Sequence, residues 1–324
     1  MKHLHPRVLL PPLLIALLLL TGCQDIGELP TNPARPSAPS NLLSTSEPTP
    51  SAAAPTFTPS PEPTTSPEPT PSPEPVPSPE PTAEPAPEPT PIPGPEPNDP
   101  IFYVLMFHNV VENGVECNDW TITTSRLRED LQWLADHGYT TVLPRELVQG
   151  APLPERAVLI TFDDGYVSNY RLAFPILKEF NAKAVISIVT IATDNNVSAF
   201  LTWDMCREMV DSGLVEIGSH THNLHGSELG IKRANGETQE QYQERVFTDL
   251  QTSIDLIEAN LGTKALFLAY PHGATDSWAK GFIQSHFAVT VITRNGRVDF
   301  SKGLYDLPRY NMNEVNFVGK YLPD

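Results

Sequence analysis

Two adjacent carboxylates at the end of an apolar run are the first residues in this chain that could do chemistry. Ala157-Val-Leu-Ile-Thr-Phe-Asp-Asp-Gly165 passes from apolar and β-branched residues straight into Asp163, Asp164 and a glycine. Such a run reads as a buried strand of a parallel sheet, and ligands of α/β folds gather at strand C-terminal ends. Neighbouring residues at a strand end point to different sides, so one carboxylate could hold a metal while the other handles a proton. Asp-Asp-Gly is also an ordinary turn sequence. Other residues must decide between the two readings.

A second stretch supplies metal-ligand chemistry. Ser219-His-Thr-His-Asn-Leu-His225 places three histidines after the short apolar run Val215-Glu-Ile-Gly218. Histidine is the commonest protein ligand for transition metals, and two imidazoles with a carboxylate make the open three-ligand set of a hydrolytic site. His220 leaves the strand end and His225 follows a turn that can return its ring to the same point, whereas His222 between them faces away more easily. His108, after Phe102-Tyr-Val-Leu-Met-Phe107, and Tyr270-Pro-His-Gly273, after Ala265-Leu-Phe-Leu-Ala269, end two further runs. In a barrel the C-terminal ends of different strands share one face, so all these residues would ring one mouth.

The elements that must position them alternate between strand and helix. Ser125 reads as the cap of a helix through His137, Tyr139–Leu143 as a strand, Tyr170–Phe180 as helical and Ala184–Val189 as a strand. A helix over Asp204–Ser212 stops at Gly213, and a long one from about Gln239 to Asn260 stops at Gly262. Helix and strand alternate once more through Ala288–Ile292. This βα alternation predicts a parallel sheet, open or closed into a barrel, over residues 101–324. About 220 residues suit one such domain.

The first hundred residues are of another kind. Lys2 and Arg7 precede the apolar run Val8–Leu20, which has the layout of a secretory signal over residues 1–22; Pro11 and Pro12 interrupt it, and it is short for a membrane span. Leu20-Thr-Gly-Cys23 resembles the lipobox of bacterial lipoproteins, which implies lipidation of Cys23, a membrane anchor made of acyl chains and an extracytoplasmic location. Residues 23–100 then collapse to Pro, Thr, Ser, Glu and Ala and hold most of the chain's 36 prolines. Such a segment favours solvated polyproline II and would act as an extended tether reaching on the order of 200 Å. The net charge of −18 and the lack of a basic block argue against nucleic acid as a partner. Cys117 and Cys206 are a pair that could form a disulfide in an oxidising location.

Thr161-Phe-Asp-Asp-Gly165 with Ser219-His-Thr-His-Asn-Leu-His225 resembles the polysaccharide deacetylases of carbohydrate esterase family 4, the NodB-homology domains. Within that family the chain resembles the poly-β-1,6-N-acetylglucosamine deacetylases, because its paired histidines are five apart and an early strand ends in Met-Phe-His108 in place of a late Leu-x-x-His. The resemblance implies a distorted (β/α) barrel that removes acetyl groups from an N-acetylated aminosugar polymer. It implies one divalent metal ion, zinc foremost, with cobalt, nickel or iron as alternatives, held by Asp164, His220 and His225. Asp163 is then the general base, His108 the general acid, and the backbone N–H of Tyr270 an oxyanion donor. Many relatives carry Arg-x-Pro-Tyr where this chain has Leu268-Ala-Tyr-Pro271, so Arg309 is expected to orient the base instead. Pro271 and His272 are expected beside the substrate, and Trp203 either stacks on sugar or packs in the core. An O-acetyl esterase acting on a glycan such as xylan, or a noncatalytic glycan-binding module, are the other functions this pattern admits.

Overall fold

The computed structural model describes residues 100–150 and 152–324. The signal at 1–22, Cys23 and the Pro-rich tether up to residue 99 lie outside the described residues. Among those described, no helix is long and apolar enough to cross a membrane.

The chain enters along β1 (Ile101–Phe107), followed by a small separate pair, β2 (Asn109–Val111) and β3 (Thr121–Thr123), and by α1 (Thr124–Asp136). β4 (Thr140–Thr141) and α2 (Pro144–Val148) lead to β5 (Arg156–Phe162). A π-helical turn, Asn169–Ala173, runs into α3 (Phe174–Glu179), and β6 (Ala184–Ile188), α4 (Thr190–Asp194), α5 (Trp203–Asp211) and β7 (Val215–Ser219) follow. Then come α6 (Gln239–Leu261), β8 (Phe267–Ala269), α7 (Lys280–His286), β9 (Val289–Val291) and β10 (Tyr310–Asn311).

Eight strands form one parallel sheet in the order β10-β1-β5-β6-β7-β8-β9, with β4 also against β5. The chain after β9 bridges the two ends of that order. Ile292 N–H donates to the Leu307 carbonyl at 3.0 Å on one side, and Met312 N–H donates to the Met106 carbonyl at 2.9 Å on the other. The sheet therefore curls into a distorted (β/α) barrel. Alternate strand residues divide its apolar interior in two, as the two-residue period of a strand requires. Phe102, Val104, Leu159, Val185, Phe267 and Val289 fill the barrel, while Leu105, Phe107, Ile160, Phe162, Ile186 and Ile217 face the surrounding helices.

This parity positions the site. β1 and β5 pair in register from Ile101↔Arg156 to Phe107↔Phe162, so they end at one level. His108 and Asp163 continue the barrel-facing rows of their strands by one residue, and His220 does the same for β7.

Several local expectations need correction. The cap of α1 is Thr123, whose hydroxyl accepts the Arg126 N–H at 3.2 Å; Ser125 already lies inside the helix. The strand expected over Tyr139–Leu143 is reduced to Thr140–Thr141, because Leu143 precedes Pro144, and proline at the first helical position starts α2 there. The helix expected over Tyr170–Phe180 begins as a π-turn. Cys117 and Cys206 are free thiols, Cys206 fully buried on α5 and Cys117 in the loop before β3. The long helix α6 follows its sequence signals: Thr238 and Gln241 make a reciprocal capping box, and Gly262 ends it at φ 65°.

The C-terminal segment is tied to α1 by a buried carboxyl. Asp130 Oδ1 accepts the Val318 N–H at 3.0 Å, while Oδ2 has no partner among the described residues. Burial pushes this group up to about 7. An aspartate normally titrates near ~3.9, so the raised value contributes stability that is full below that pH and is lost as pH rises through about 7. Asp130→Asn, which keeps an acceptor oxygen and cannot ionise, should unfold at a higher temperature than wild type at pH 8. The gain should shrink steadily toward pH 4, as read by thermal unfolding in a pH series.

Candidate active site

Asp163 and Asp164 diverge because the backbone turns sharply between them. Asp163 still belongs to the sheet, its N–H donating to the Phe107 carbonyl at 2.9 Å. Asp164 and Gly165 then both adopt left-handed conformations, φ 72° and 74°. A Cβ at Gly165 would lie 2.8 Å from Ile188 Cγ2, so only glycine lets the turn press against β6. A left-handed aspartate is uncommon and costly, and such residues cluster at functional sites. Thr221 (φ 70°) and His272 (φ 58°) repeat the pattern past β7 and β8.

Asp163 faces the barrel axis and meets Arg309. Arg309 Nη1 and Nη2 donate to the two carboxylate oxygens at 2.8 and 2.7 Å, Nη1 also reaches Thr161 Oγ1 at 3.0 Å, and Nε donates to the Ile292 carbonyl at 3.0 Å. The guanidinium has no exposure to solvent. Its place follows from topology: Arg309 sits on the segment that bridges β9 to β1, directly above the filled barrel.

Asp164 points to the histidines. His225 Nε2 lies 3.1 Å and His220 Nε2 3.5 Å from its Oδ1. Neither contact is a hydrogen bond, and Oδ1 has no hydrogen-bond donor among the described residues. His220 Nδ1 lies 2.7 Å from the Ala269 carbonyl, which can only accept, so Nδ1 carries the hydrogen and Nε2 presents its lone pair. The three potential ligand atoms of Asp164, His220 and His225 lie within 4.8 Å of one another. An orphaned buried carboxylate oxygen and an imidazole locked in the Nε2-ligand tautomer are what a divalent cation requires, so the donor set fits a metal ion. His222 turns away, its Nδ1 3.0 Å from Thr190 Oγ1.

His108 lines the same cavity as this cluster. Its carbonyl accepts from Asn169 Nδ2 at 2.8 Å, its ring packs edge-on to Trp120 at 4.8 Å, and its buried Nδ1 has no hydrogen-bond partner among the described residues. Asn169 opens the π-turn, a distortion often found where a helix serves a site. His108, Asp163, Asp164, His220 and His225 line one cavity of about 350 Å³, a size suited to a small ligand or one sugar unit.

Comparison with known proteins bears on this geometry. A family model described as polysaccharide deacetylase matches residues 150–286. A curated relative, poly-β-1,6-N-acetyl-D-glucosamine N-deacetylase of Escherichia coli (strain K12), is 32% identical over 211 residues, which cover 55% of this chain and 31% of that protein. The chain thus spans about a third of the length of that relative. A solved de-N-acetylase from Aggregatibacter actinomycetemcomitans is 30% identical, with a TM-score of 0.58, and the match covers 67% of this chain and 97% of that one. The chain belongs to the polysaccharide deacetylase family. The deacetylase domain of BpsB from Bordetella bronchiseptica is also similar, at 26% identity and a TM-score of 0.57, covering 68% of this chain and 98% of that one.

In this polysaccharide deacetylase the remaining expectations fare unevenly. The Tyr270 N–H donates to the Val291 carbonyl at 3.2 Å within the β8·β9 pairing, so it is engaged in the sheet and not free to meet an oxyanion. Trp203 does not line the cavity; it starts α5, packs against the helix-side core and donates its indole N–H to Asp194 Oδ1 at 3.3 Å. Pro271 is buried at the start of a short turn and is likewise absent from the lining, whereas Tyr270 and His272 are part of it. His272 Nε2 lies 3.3 and 3.2 Å from the carbonyls of His225 and Ser227, and its ring packs 5.0 Å from that of His225. Sequence reasoning missed two aromatic residues of the lining. Tyr166 follows Asp-Asp-Gly directly, and Trp120 precedes β3 in a polar loop, where only its place next to a chemistry-bearing strand end could have marked it.

The electrostatics separate the two carboxylates. Burial alone would push Asp163 up, yet the Arg309 guanidinium, with the His220 imidazole, holds it well below the usual carboxylate range. Asp164 is likewise resisted by burial and lowered by the imidazoles of His225 and His220. Burial lowers His220, favouring the neutral ring that a ligand needs, while the Asp164 carboxylate raises His225. Burial also lowers His108 against the opposing pull of Asp163 and Asp164. The Tyr166 phenol is pushed up to about 12 by burial and the Asp164 carboxylate.

Proposed function

We propose that the chain is a metal-dependent N-deacetylase acting on an N-acetylglucosamine-containing polysaccharide of the cell wall or exported matrix. The observation that carries this reading is the gathering, around one cavity, of Asp163 held by Arg309, the Asp164–His220–His225 cluster and a buried histidine, His108. Asp164, His220 and His225 would hold one divalent ion, zinc foremost, with cobalt, nickel or iron able to replace it, and the ion supplies Lewis-acid polarisation of the acetamide carbonyl.

The protein's own groups do the proton work. Asp163, ionised and held in one orientation by the Arg309 fork, accepts a proton from the attacking water. A new C–O bond forms as the C–N bond breaks, and the departing nitrogen must gain a proton because an amine anion is a very poor leaving group. His108 is placed to give it, and the burial that lowers its pKa makes its protonated form a readier donor. The products are acetate and a free amine on the polymer. Trp120 keeps half of its surface exposed beside His108 and offers a flat apolar face to a pyranose ring. The reading extends to location: lipidation at Cys23 and the extended tether would present the domain at the outer side of the bacterial membrane.

Acetate release from poly-β-1,6-N-acetylglucosamine and from peptidoglycan, measured side by side on the metal-loaded protein, tests this reading. Release from either polymer, accompanied by new free amines, is expected. Retention of both polymers without turnover would leave a binding module, and release from acetylated xylan alone would leave an esterase.

A further inference from the structure

The loop between the two candidate metal histidines has a left-handed residue and no regular secondary structure until Leu224, yet its backbone is held from two sides. Thr190 N–H donates to the Thr221 carbonyl at 3.2 Å and Ile191 N–H to the His222 carbonyl at 3.1 Å, both from the start of α4. From the other side, Asp249 on α6 accepts the His222 N–H on Oδ1 and the Asn223 N–H on Oδ2, each at 2.8 Å. One helical turn on, Ser253 meets Ser219 Oγ at 2.7 Å, and that same Ser219 Oγ accepts the Thr221 N–H at 3.0 Å. Residues four apart share a helix face, so α6 presents Asp249 and Ser253 together to the loop.

We infer that Asp249 is a positioning residue for the metal centre, its carboxylate clamping two successive backbone N–H groups and so fixing where His220 and His225 converge. The inference rests on the assignment of Asp164, His220 and His225 as metal ligands. Asp249 touches none of the three ligand side chains. It acts on the chain midway between the two histidines, where the five-residue spacing leaves a turn that must otherwise choose among conformations. Charge-assisted bonds from a carboxylate to backbone N–H groups are among the stronger neutral-to-ion contacts, and two of them at good length hold the turn in one shape. The clamp stands on a rigid support, because α6 is capped at both ends. It also accounts for His222: with its N–H on Asp249, its carbonyl on Ile191 and its ring on Thr190, that histidine anchors the loop and faces away from the cavity.

The test is metal affinity by chelator competition, together with the visible absorption spectrum of the cobalt-loaded protein, in wild type, Asp249→Ala and Asp249→Asn. Loss of a group that orients metal ligands typically lowers affinity about 10–100-fold. Asp249→Ala should fall in that range with an altered cobalt spectrum. Asp249→Asn, which retains one acceptor oxygen, should lie between the other two and gives the same reading should the alanine variant fold poorly. Wild-type affinity and an unchanged spectrum in Asp249→Ala would overturn the clamp and leave the ligand assignment standing. A wild-type protein that binds no cobalt or zinc would overturn the ligand assignment itself, and the clamp with it.

Discussion

Asp163→Asn is expected to lower turnover by about 10²–10⁴-fold, the range associated with a general base. The substitution keeps the shape of the side chain and one acceptor for Arg309 but leaves that buried guanidinium without its counter-charge, so the variant should be less stable than wild type while its folded form retains the Asp164–His220–His225 cluster. Loss of turnover with bound metal retained is the result that assigns the proton transfer to this carboxylate. It can be read as initial rates of acetate release beside metal analysis of the same preparation. A decline of both together would instead place Asp163 among the groups that hold the ion.

Arg309→Met carries the second large effect, on stability as well as rate. The Arg309–Asp163 pair is buried, bidentate and further bonded to Thr161 and Ile292, and removing one partner of such a pair costs about 3–5 kcal/mol because the other charge is left uncompensated. The sign with pH follows from the depressed carboxyl. In the wild type Asp163 contributes stability above the ordinary aspartate pKa of about 3.9, lost as pH falls through its lower folded value. Without Arg309, burial prevails and the carboxyl titrates upward. The stability deficit of Arg309→Met should therefore be larger at pH 7 than at pH 4 in denaturant unfolding, and the acid limb of its pH–rate profile should move toward neutrality. A variant that loses activity with an unmoved acid limb would separate Arg309 from the ionisation of Asp163.

Much of this site was legible from strand parity and from turn chemistry. The apolar run over Ala157–Phe162 announced a central parallel strand, and β5 lies between β1 and β6. Counting alternate residues along β1, β5 and β7 carries His108, Asp163 and His220 to the same side, which is why residues distant in sequence converge. The ends of α6 were equally legible, since Thr238, Gln241 and Gly262 are strong local signals. What the sequence hid was set by tertiary context. Tyr270 closes an apolar run and looks free at a strand end, but its N–H is taken by β9, and no local pattern reveals which backbone groups a neighbouring strand will claim. Trp203 and Trp120 are both indoles in polar surroundings; only the placement of α5 against the helix-side core and of the small β2·β3 pair against His108 sets them apart. Arg309 was suggested by the arginine that relatives carry where this chain has Leu268, whereas its mode of entry, on the short segment that bridges the barrel, depends on pairing over long sequence distance.

The division of labour between Asp163 and Asp164 is the core of this enzyme reading, and metal content against turnover in two variants tests it most directly. The chain, loaded with zinc and freed of excess, should hold one ion as wild type and as Asp163→Asn. Asp164→Ala should lose most of its ion, and both variants should release little acetate from the aminosugar polymer. Full metal content and undiminished acetate release in Asp164→Ala would contradict the assignment.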